Sequence, residues 1–208
     1  ASIQYANKMG FFQGKRIYTG ISTRCGFRLG RATGTLALDY DPDSKIIRLD
    51  SSVPHFTLSD ITILPSAVTN LASALKLKNV KLNYANKNGI IRGLRVKNGF
   101  KISGNVLLRR SRSKLTVLYK PDTKFFVVSA NILRGSIADI TLPGISLIIP
   151  RGMNGFFSRF RISNTKLLYA NKSGNFENQR VAAGFSAKGK MNVFGSRGTF
   201  NIVYKKQN

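Results

Sequence analysis

The chain has 208 residues, 42% of them apolar, which is enough to build a hydrophobic core for one compact domain or two small ones. Thirty-four Lys and Arg stand against eight Asp and Glu, so the formal net charge is +26 at pH 7. This composition excludes a disordered polycation, the single cysteine excludes an internal disulfide or thiolate metal cluster, and no apolar run is long enough for a membrane-spanning helix.

The N-terminus suggests a secreted protein. The chain begins at Ala1 without a charged-then-apolar leader, and we expect a mature protein from which a signal peptide has been removed. An expression product trimmed of a tag would begin in the same way. Asn171-Lys172-Ser173 is a glycosylation sequon, which is weak support for secretion.

The four residues Tyr-Ala-Asn-Lys occur three times, starting at Tyr5, Tyr84 and Tyr169, with a glycine two positions after each lysine. Many other residues recur at the same offsets of 79 and then 85 positions. This agreement predicts tandem repeats, two and a half copies of about 79 residues. We expect repeat one at 1–77, repeat two at 78–162 and a half repeat three at 163–208, stacked as a single structural unit.

The first predicted element of each repeat is the Tyr-Ala-Asn-Lys-x-Gly segment. Asn tolerates left-handed backbone and Gly adopts positive φ freely, so the segment is expected to form a short hairpin loop. The loop would join a strand ending in Tyr to one beginning near Phe11, Ile90 or Asn175.

Alternating strands follow each loop. Apolar and polar residues alternate with a period of two, which is typical of half-buried strands, over 21–29, 100–108 and 185–193, and again over 36–40, 115–119 and 200–204. The inward face is apolar and the outward face is basic. Asp41 to Ser44 and Lys120 to Thr123 then predict β-turns, because Pro presets the backbone at the second turn position.

One short helix is expected near 66–76, just after Pro65, with Val68, Leu71 and Leu75 on one face. The predicted fold is otherwise all-β, with about sixteen antiparallel strands. Because one thin repeat cannot bury both of its faces alone, we expect an elongated sandwich or solenoid. A closed barrel is the alternative architecture.

The sequence has few candidate residues for catalysis or metal binding. Asp39, Asp41 and Asp43 alternate as calcium ligands can, but Leu118 and Lys120 replace the first two in repeat two. His55 has Arg134 as its counterpart, and Cys25 lies where the other repeats have Gly104 and Gly189. No nucleophile, base and orienting group can be assembled. We therefore expect no enzyme, no cofactor and no metal.

The recurring cations are the candidate binding residues. A lysine in each loop and an arginine on the strand after it recur in all three repeats, and stacked repeats would align each set in a row suited to regularly spaced anions. A dense arginine cluster adds to them. The predicted polyanion-binding residues are Lys8, Lys87, Lys172, Arg16, Arg95, Arg180, Arg109, Arg110 and Arg112.

The predicted function is binding of a polyanion or anionic surface: an acidic polysaccharide, a nucleic-acid backbone, an anionic lipid surface or a mineral. No sequence-reading nucleic-acid motif is present. Two alternatives remain open. The first is a self-assembling structural subunit, such as a filament, matrix or adhesive protein, built by head-to-tail strand addition. The second is a carrier of an apolar ligand, suggested by the continuous apolar run 125–128.

Overall fold

A computed structural model describes residues 1–29, 32–57, 76–108, 111–136, 161–193 and 195–205. These residues form β-strands and no helix. The strands are β1 (Ser2–Ala6), β2 (Gly10–Phe12), β3 (Lys15–Ile17), β4 (Gly20–Leu29), β5 (Ala32–Asp41), β6 (Ile46–Thr57), β7 (Lys76–Ala85), β8 (Gly89–Ile91), β9 (Leu94–Val96), β10 (Gly99–Leu108), β11 (Ser111–Lys120), β12 (Phe125–Ser136), β13 (Arg161–Ala170), β14 (Gly174–Phe176), β15 (Gln179–Val181), β16 (Gly184–Val193) and β17 (Ser196–Lys205).

Eleven strands form one antiparallel sheet in the order β1-β4-β5-β6-β7-β10-β11-β12-β13-β16-β17. The other six form three separate hairpins, β2–β3, β8–β9 and β14–β15. The all-β antiparallel prediction is confirmed. The predicted sandwich or solenoid is not confirmed, because the long strands lie in one sheet with β1 and β17 as its two edges.

The strands fall into three groups with the same order of lengths. Unit one (β1–β6), unit two (β7–β12) and unit three (β13–β17) each have a long strand, a hairpin of two three-residue strands, and then ten-residue strands. Two differences break this pattern: β1 has five residues against ten in β7 and β13, and unit three has no described counterpart of the twelve-residue strands β6 and β12. Duplication as the origin of this order stays a prediction.

The predicted helix over 66–76 is wrong at its last residue and otherwise lies outside the described residues, which end at 57 and resume at 76. Lys76 begins β7, where it pairs with Thr57 of β6. The described residues contain no helical segment long and apolar enough to cross a membrane.

The Tyr-Ala-Asn-Lys segments do not form the predicted hairpin loops. The strand before each segment pairs with the long strand beyond the short hairpin, as β7 pairs with β10, so the hairpin is an insertion between two sheet neighbours. Asn86 and Asn171 have no positive φ, and neither do Gly89 and Gly174. The positive φ angles lie instead at the hairpin tips, as at Arg92 and Gly93.

The asparagine side chain of the motif in units two and three forms hydrogen bonds with the backbone of the preceding unit. The side-chain amide of Asn171 accepts a hydrogen bond from the Phe126 backbone N–H at 2.8 Å and donates one to the Lys124 carbonyl at 2.8 Å. Asn86 makes the same pair of bonds with Ile47 and Lys45, at 2.9 and 3.0 Å. We call this arrangement the asparagine clamp, and it fixes the start of β6 or β12 against the following unit.

One face of the sheet, the inner face, carries the main core. Apolar side chains from β7, β10, β11, β12, β13 and β16 form one continuous buried cluster on it, as the period-two alternation predicted. Tyr84 stacks on Phe100 at its margin, with ring centroids 4.4 Å apart. The cluster includes Leu77, Ile102, Val117, Val128 and Leu167.

The hairpins lie on the opposite, outer face. Phe176 of hairpin β14–β15 is buried against Phe125 and Val127 of β12 and Ala170 of β13. Residues 125–128 are therefore apolar on both sides because both sides are covered within the chain. The apolar run 125–128 is therefore explained by packing within the chain, with no need for an apolar ligand.

Candidate functional site

The three motif lysines lie where each hairpin leaves the sheet. Lys8, Lys87 and Lys172 are exposed and make no hydrogen bond or ion pair with any described residue. They are free to bind a ligand. Their mutual alignment stays a prediction.

The three recurring arginines occupy the same position in each hairpin. Arg16, Arg95 and Arg180 are each the middle residue of the second hairpin strand, opposite Phe11, Ile90 and Asn175 respectively. All three are exposed. Arg16 contacts its own hairpin, since its guanidinium lies 3.3 Å from the Met9 sulfur and 5.3 Å from the Tyr18 ring centre.

The predicted arginine cluster is only partly described. Arg109 and Arg110 lie outside the described residues. Arg112 belongs to β11, where its backbone pairs with Leu107 of β10.

Under hairpin β8–β9 the outer face carries an ionic cluster. The Asp39 carboxylate, only 3% exposed, accepts hydrogen bonds from the Ser22 hydroxyl at 2.7 Å, from Arg48 at 3.3 Å and from Arg92 at the hairpin tip at 3.4 Å. Arg48 also pairs with Asp50. Asp39 and Asp50 therefore compensate Arg48 of unit one and Arg92 of unit two.

Asp41 is also engaged, but within its own turn. Its carboxylate accepts hydrogen bonds from the Asp43 N–H at 3.1 Å and from the Ser44 hydroxyl at 2.7 Å. Asp39 and Asp41 thus bind different protein partners, and no cluster of three metal-ligating side chains occurs among the described residues.

Cys25 is free and half-buried. Its neighbour β1 pairs with β4 only as far as Arg24. Gly104 and Gly189 occupy this place in the other units, where the neighbouring strand is longer and packs against them. A Cβ on Gly189 would lie 2.2 Å from Thr165.

On the outer face of unit three the charge is almost entirely positive. A groove of 630 Å³ runs over β13, β16 and β17 beside hairpin β14–β15. Its cationic lining is Lys166, Arg180, Lys188 and Lys190, and no carboxylate lines it. We call it the basic groove.

The two central lysines of the basic groove face each other directly. Lys166 of β13 is the cross-strand partner of Lys188 of β16. Like charges in this position repel and destabilise a sheet by a few tenths to about 1 kcal/mol. Neither lysine bonds to a described carboxylate. An anion between them would remove the repulsion, so the pair favours anion binding.

A β-bulge in β13 lies next to this lysine pair. The pairing with β16 shifts between Ser163 and Lys166, and Asn164 has a φ of 45°. Unit two has the same bulge at Asn79, yet there Lys81 faces Ser103 rather than a lysine. The backbone is thus shared and the paired charge is particular to unit three.

A second groove provides an internal comparison. It has a volume of 590 Å³, lies over β4 to β7, and contains the cations Arg24, Arg48 and Lys81. Unlike the basic groove, it is also lined by two carboxylates, Asp39 and Asp50. Arg95 lines a third groove, between hairpins β8–β9 and β14–β15, together with Glu177.

The structure therefore brings Arg180 together with lysines that were not among the predicted site residues. Arg95 and Arg180 line different grooves. The facing of Lys166 and Lys188 follows from the strand register, which pairs Ala170 with Gly184. That register could have been inferred only by pairing the strand that ends in the motif Tyr-Ala with the alternating strand that follows the inserted hairpin.

No protein-family model matches the sequence, and no curated protein or solved structure is significantly similar to it.

Proposed function

We propose that the protein binds a linear polyanion, such as an acidic polysaccharide or a nucleic-acid backbone, in the basic groove. The observation that carries this proposal is the directly facing Lys166 and Lys188 in a groove without a carboxylate. Arg180 lies at the same groove, and Lys190 follows Lys188 on the same side of β16. The four cations can contact successive anionic groups of one chain.

The shape of the site favours a polymer chain over a flat anionic lipid or mineral surface. The cations line a concavity bounded by the hairpin on one side and the sheet on the other. A flexible anionic chain can enter such a concavity, whereas a planar surface reaches only its rim. The free Lys172 lies at the start of the same hairpin and is placed to extend the contact.

This is a proposal of binding rather than catalysis. The sequence has one histidine and eight acidic residues, and five of these acids already bind protein groups: Asp39, Asp41, Asp50, Asp122 and Glu177. As a working hypothesis the protein is secreted and acts on an extracellular polyanion. The repeated clamps and hairpins are consistent with tandem repeats that serve as a scaffold for this surface.

Binding to heparin, duplex DNA and anionic phosphatidylserine vesicles tests the proposal. We compare the wild-type protein with Lys166→Ser/Lys188→Ser, which removes the facing pair. The control, Arg24→Ser/Lys81→Ser, removes the same charge from the groove that Asp39 and Asp50 also line. We expect the first variant to lose at least tenfold in affinity for heparin or DNA, and the control to lose less than threefold.

Equal losses in the two variants would show that bulk charge, and not the basic groove, is responsible. If the protein bound the vesicles most tightly, its ligand would be an anionic membrane surface and not a linear polyanion. A triple change of Arg16, Arg95 and Arg180 to Ala separately tests the predicted arginine row.

A further inference from the structure

The N-terminal end of the sheet presents the same surface that twice holds a strand elsewhere in the chain, and no described strand covers it there. The surface consists of β1, the Asn7 side chain and hairpin β2–β3. In units two and three the matching surface receives β6 and β12. Three local features show that it is preformed.

The first feature is the asparagine clamp. Asn86 and Asn171 bind the backbone at the start of β6 and β12. Asn7 holds the same place in unit one, is exposed, and makes no hydrogen bond with a described residue. The oxygen and the nitrogen of its side-chain amide are therefore both available to bind the backbone of another strand.

The second feature is a notch made by a glycine. A Cβ on Gly89 would lie 2.3 Å from Ile46, and one on Gly174 would lie 2.5 Å from the Phe125 ring, so both glycines are needed for an apolar side chain to approach. At Gly10 a Cβ would meet nothing within 4 Å. The notch is present in unit one, and no described side chain fills it.

The third feature is the apolar side of the hairpin. Ile91 and Phe176, at matching positions, are 1% and 2% exposed, whereas Phe12 is 63% exposed. Tyr5 of β1 is also 72% exposed, whereas the matching Tyr84 and Tyr169 are half-buried. An uncovered apolar group of this kind next to a free sheet edge is typical of a docking surface.

From these features we infer that the surface of β1, Asn7, Gly10 and Phe12 binds an extended antiparallel polypeptide strand of the β12 type. Such a strand follows a turn that ends in a left-handed lysine, as at Lys45 (φ 52°) and Lys124 (φ 49°), and continues with two apolar residues. The first apolar residue would fill the notch at Gly10. The second would contact the exposed Tyr5 diagonally, as the Phe126 ring contacts the Tyr169 ring with centroids 6.4 Å apart.

The occupant is a strand of this kind and not the β17 edge of a second copy. In the sheet, β5 and β7 run in the same direction with β6 between them. The strands β17 and β1 match β5 and β7, so joining them directly would create a parallel pair in an otherwise antiparallel sheet. A separate antiparallel strand satisfies the clamp, the notch and the pairing direction together.

A labelled peptide of residues 121–136, added to the full chain, tests the inference by fluorescence anisotropy. We expect saturable binding to the wild type that is weakened at least tenfold by Gly10→Leu and several-fold by Asn7→Ala. A peptide carrying Phe125→Asp should not bind. The control Gly198→Leu places the same side chain in open space on β17 and should bind like the wild type.

Absence of saturable binding, or equal binding to the wild type and Gly10→Leu, would overturn the inference. Loss of binding in Gly198→Leu alone would place the peptide at the β17 edge and would also overturn it. Lys166→Ser/Lys188→Ser should bind the peptide normally, which separates this surface from polyanion binding. Because nothing lies near the Gly10 notch, Gly10→Leu is expected to fold, and circular dichroism checks this.

Discussion

The asparagine of each Tyr-Ala-Asn-Lys motif has a role that depends on its neighbour. Asn86 and Asn171 each satisfy a backbone N–H and a backbone carbonyl of the preceding unit. A primary amide is suited to this role because it offers an acceptor and donors on one planar group. Asn7 has the same sequence context and makes no such hydrogen bond with a described residue.

Changing Asn171 to Ala should therefore lower the free energy of unfolding by about 1 to 3 kcal/mol, because two hydrogen bonds are lost and the Phe126 N–H loses a partner. Urea unfolding followed by circular dichroism measures the change. Asn7→Ala is the matched control and should change stability by less than about 0.5 kcal/mol. Equal costs at the two sites would contradict the clamp.

At the level of secondary-structure elements, each hairpin acts as a cover for the preceding unit. Hairpin β14–β15 covers an apolar part of the outer face, and hairpin β8–β9 covers both the buried Ile46 and the ionic cluster around Asp39. The hairpin backbone is common to the units and the chemistry beneath it differs. Hairpin β2–β3 has no described segment beneath Phe12.

Truncating the matching hairpin side chains, Phe176 in unit three and Phe12 in unit one, should affect stability differently. Phe176→Ala should cost about 3 to 5 kcal/mol in unfolding free energy, because it leaves a cavity beside Phe125 and Val127. Phe12→Ala removes an exposed ring and should cost less than about 0.5 kcal/mol. Thermal unfolding of both variants measures this, and a small effect of Phe176→Ala would mean that the hairpin is not a stabilising cover.

The sequence was sufficient to predict the long strands and the turns between them. Alternation of apolar and polar residues reports directly which side of a strand is buried, as at Ile102 and Val106. Pro42 and Pro121 mark the turns for the same local reason, and both turns are present.

The inserted hairpins and the roles of the motif residues could not be predicted in this way. The role of Gly174 follows from a side chain 49 positions away, Phe125, and not from its own φ. Three-residue strands are too short to show a period. The basic groove likewise depends on the pairing of β13 with β16 across an inserted hairpin, which the predicted hairpin loop did not include, so Lys166 was missed and Lys188 was not chosen as a site residue.

At the scale of the whole molecule, charge is distributed unevenly along the sheet. Asp39 lies between Arg48 of unit one and Arg92 of unit two, and Glu177 pairs with Lys101 of unit two at 3.4 Å. From Asn178 to Asn208 the sequence contains no acidic residue, but neither does the longer stretch between Asp60 and Asp122, which has 13 Lys and Arg. Net charge alone therefore does not select unit three, and we expect binding at the basic groove to depend on the local arrangement of Lys166 and Lys188.

The dependence of duplex-DNA affinity on salt concentration tests polyanion binding at the basic groove most directly. Each phosphate that a cation neutralises contributes about 0.9 to the slope of log affinity against log salt. The account predicts a steep slope for the wild type that falls by about 2 in Lys166→Ser/Lys188→Ser and stays unchanged in Arg24→Ser/Lys81→Ser. An unchanged slope in the first variant, or the same reduction in both, would contradict it.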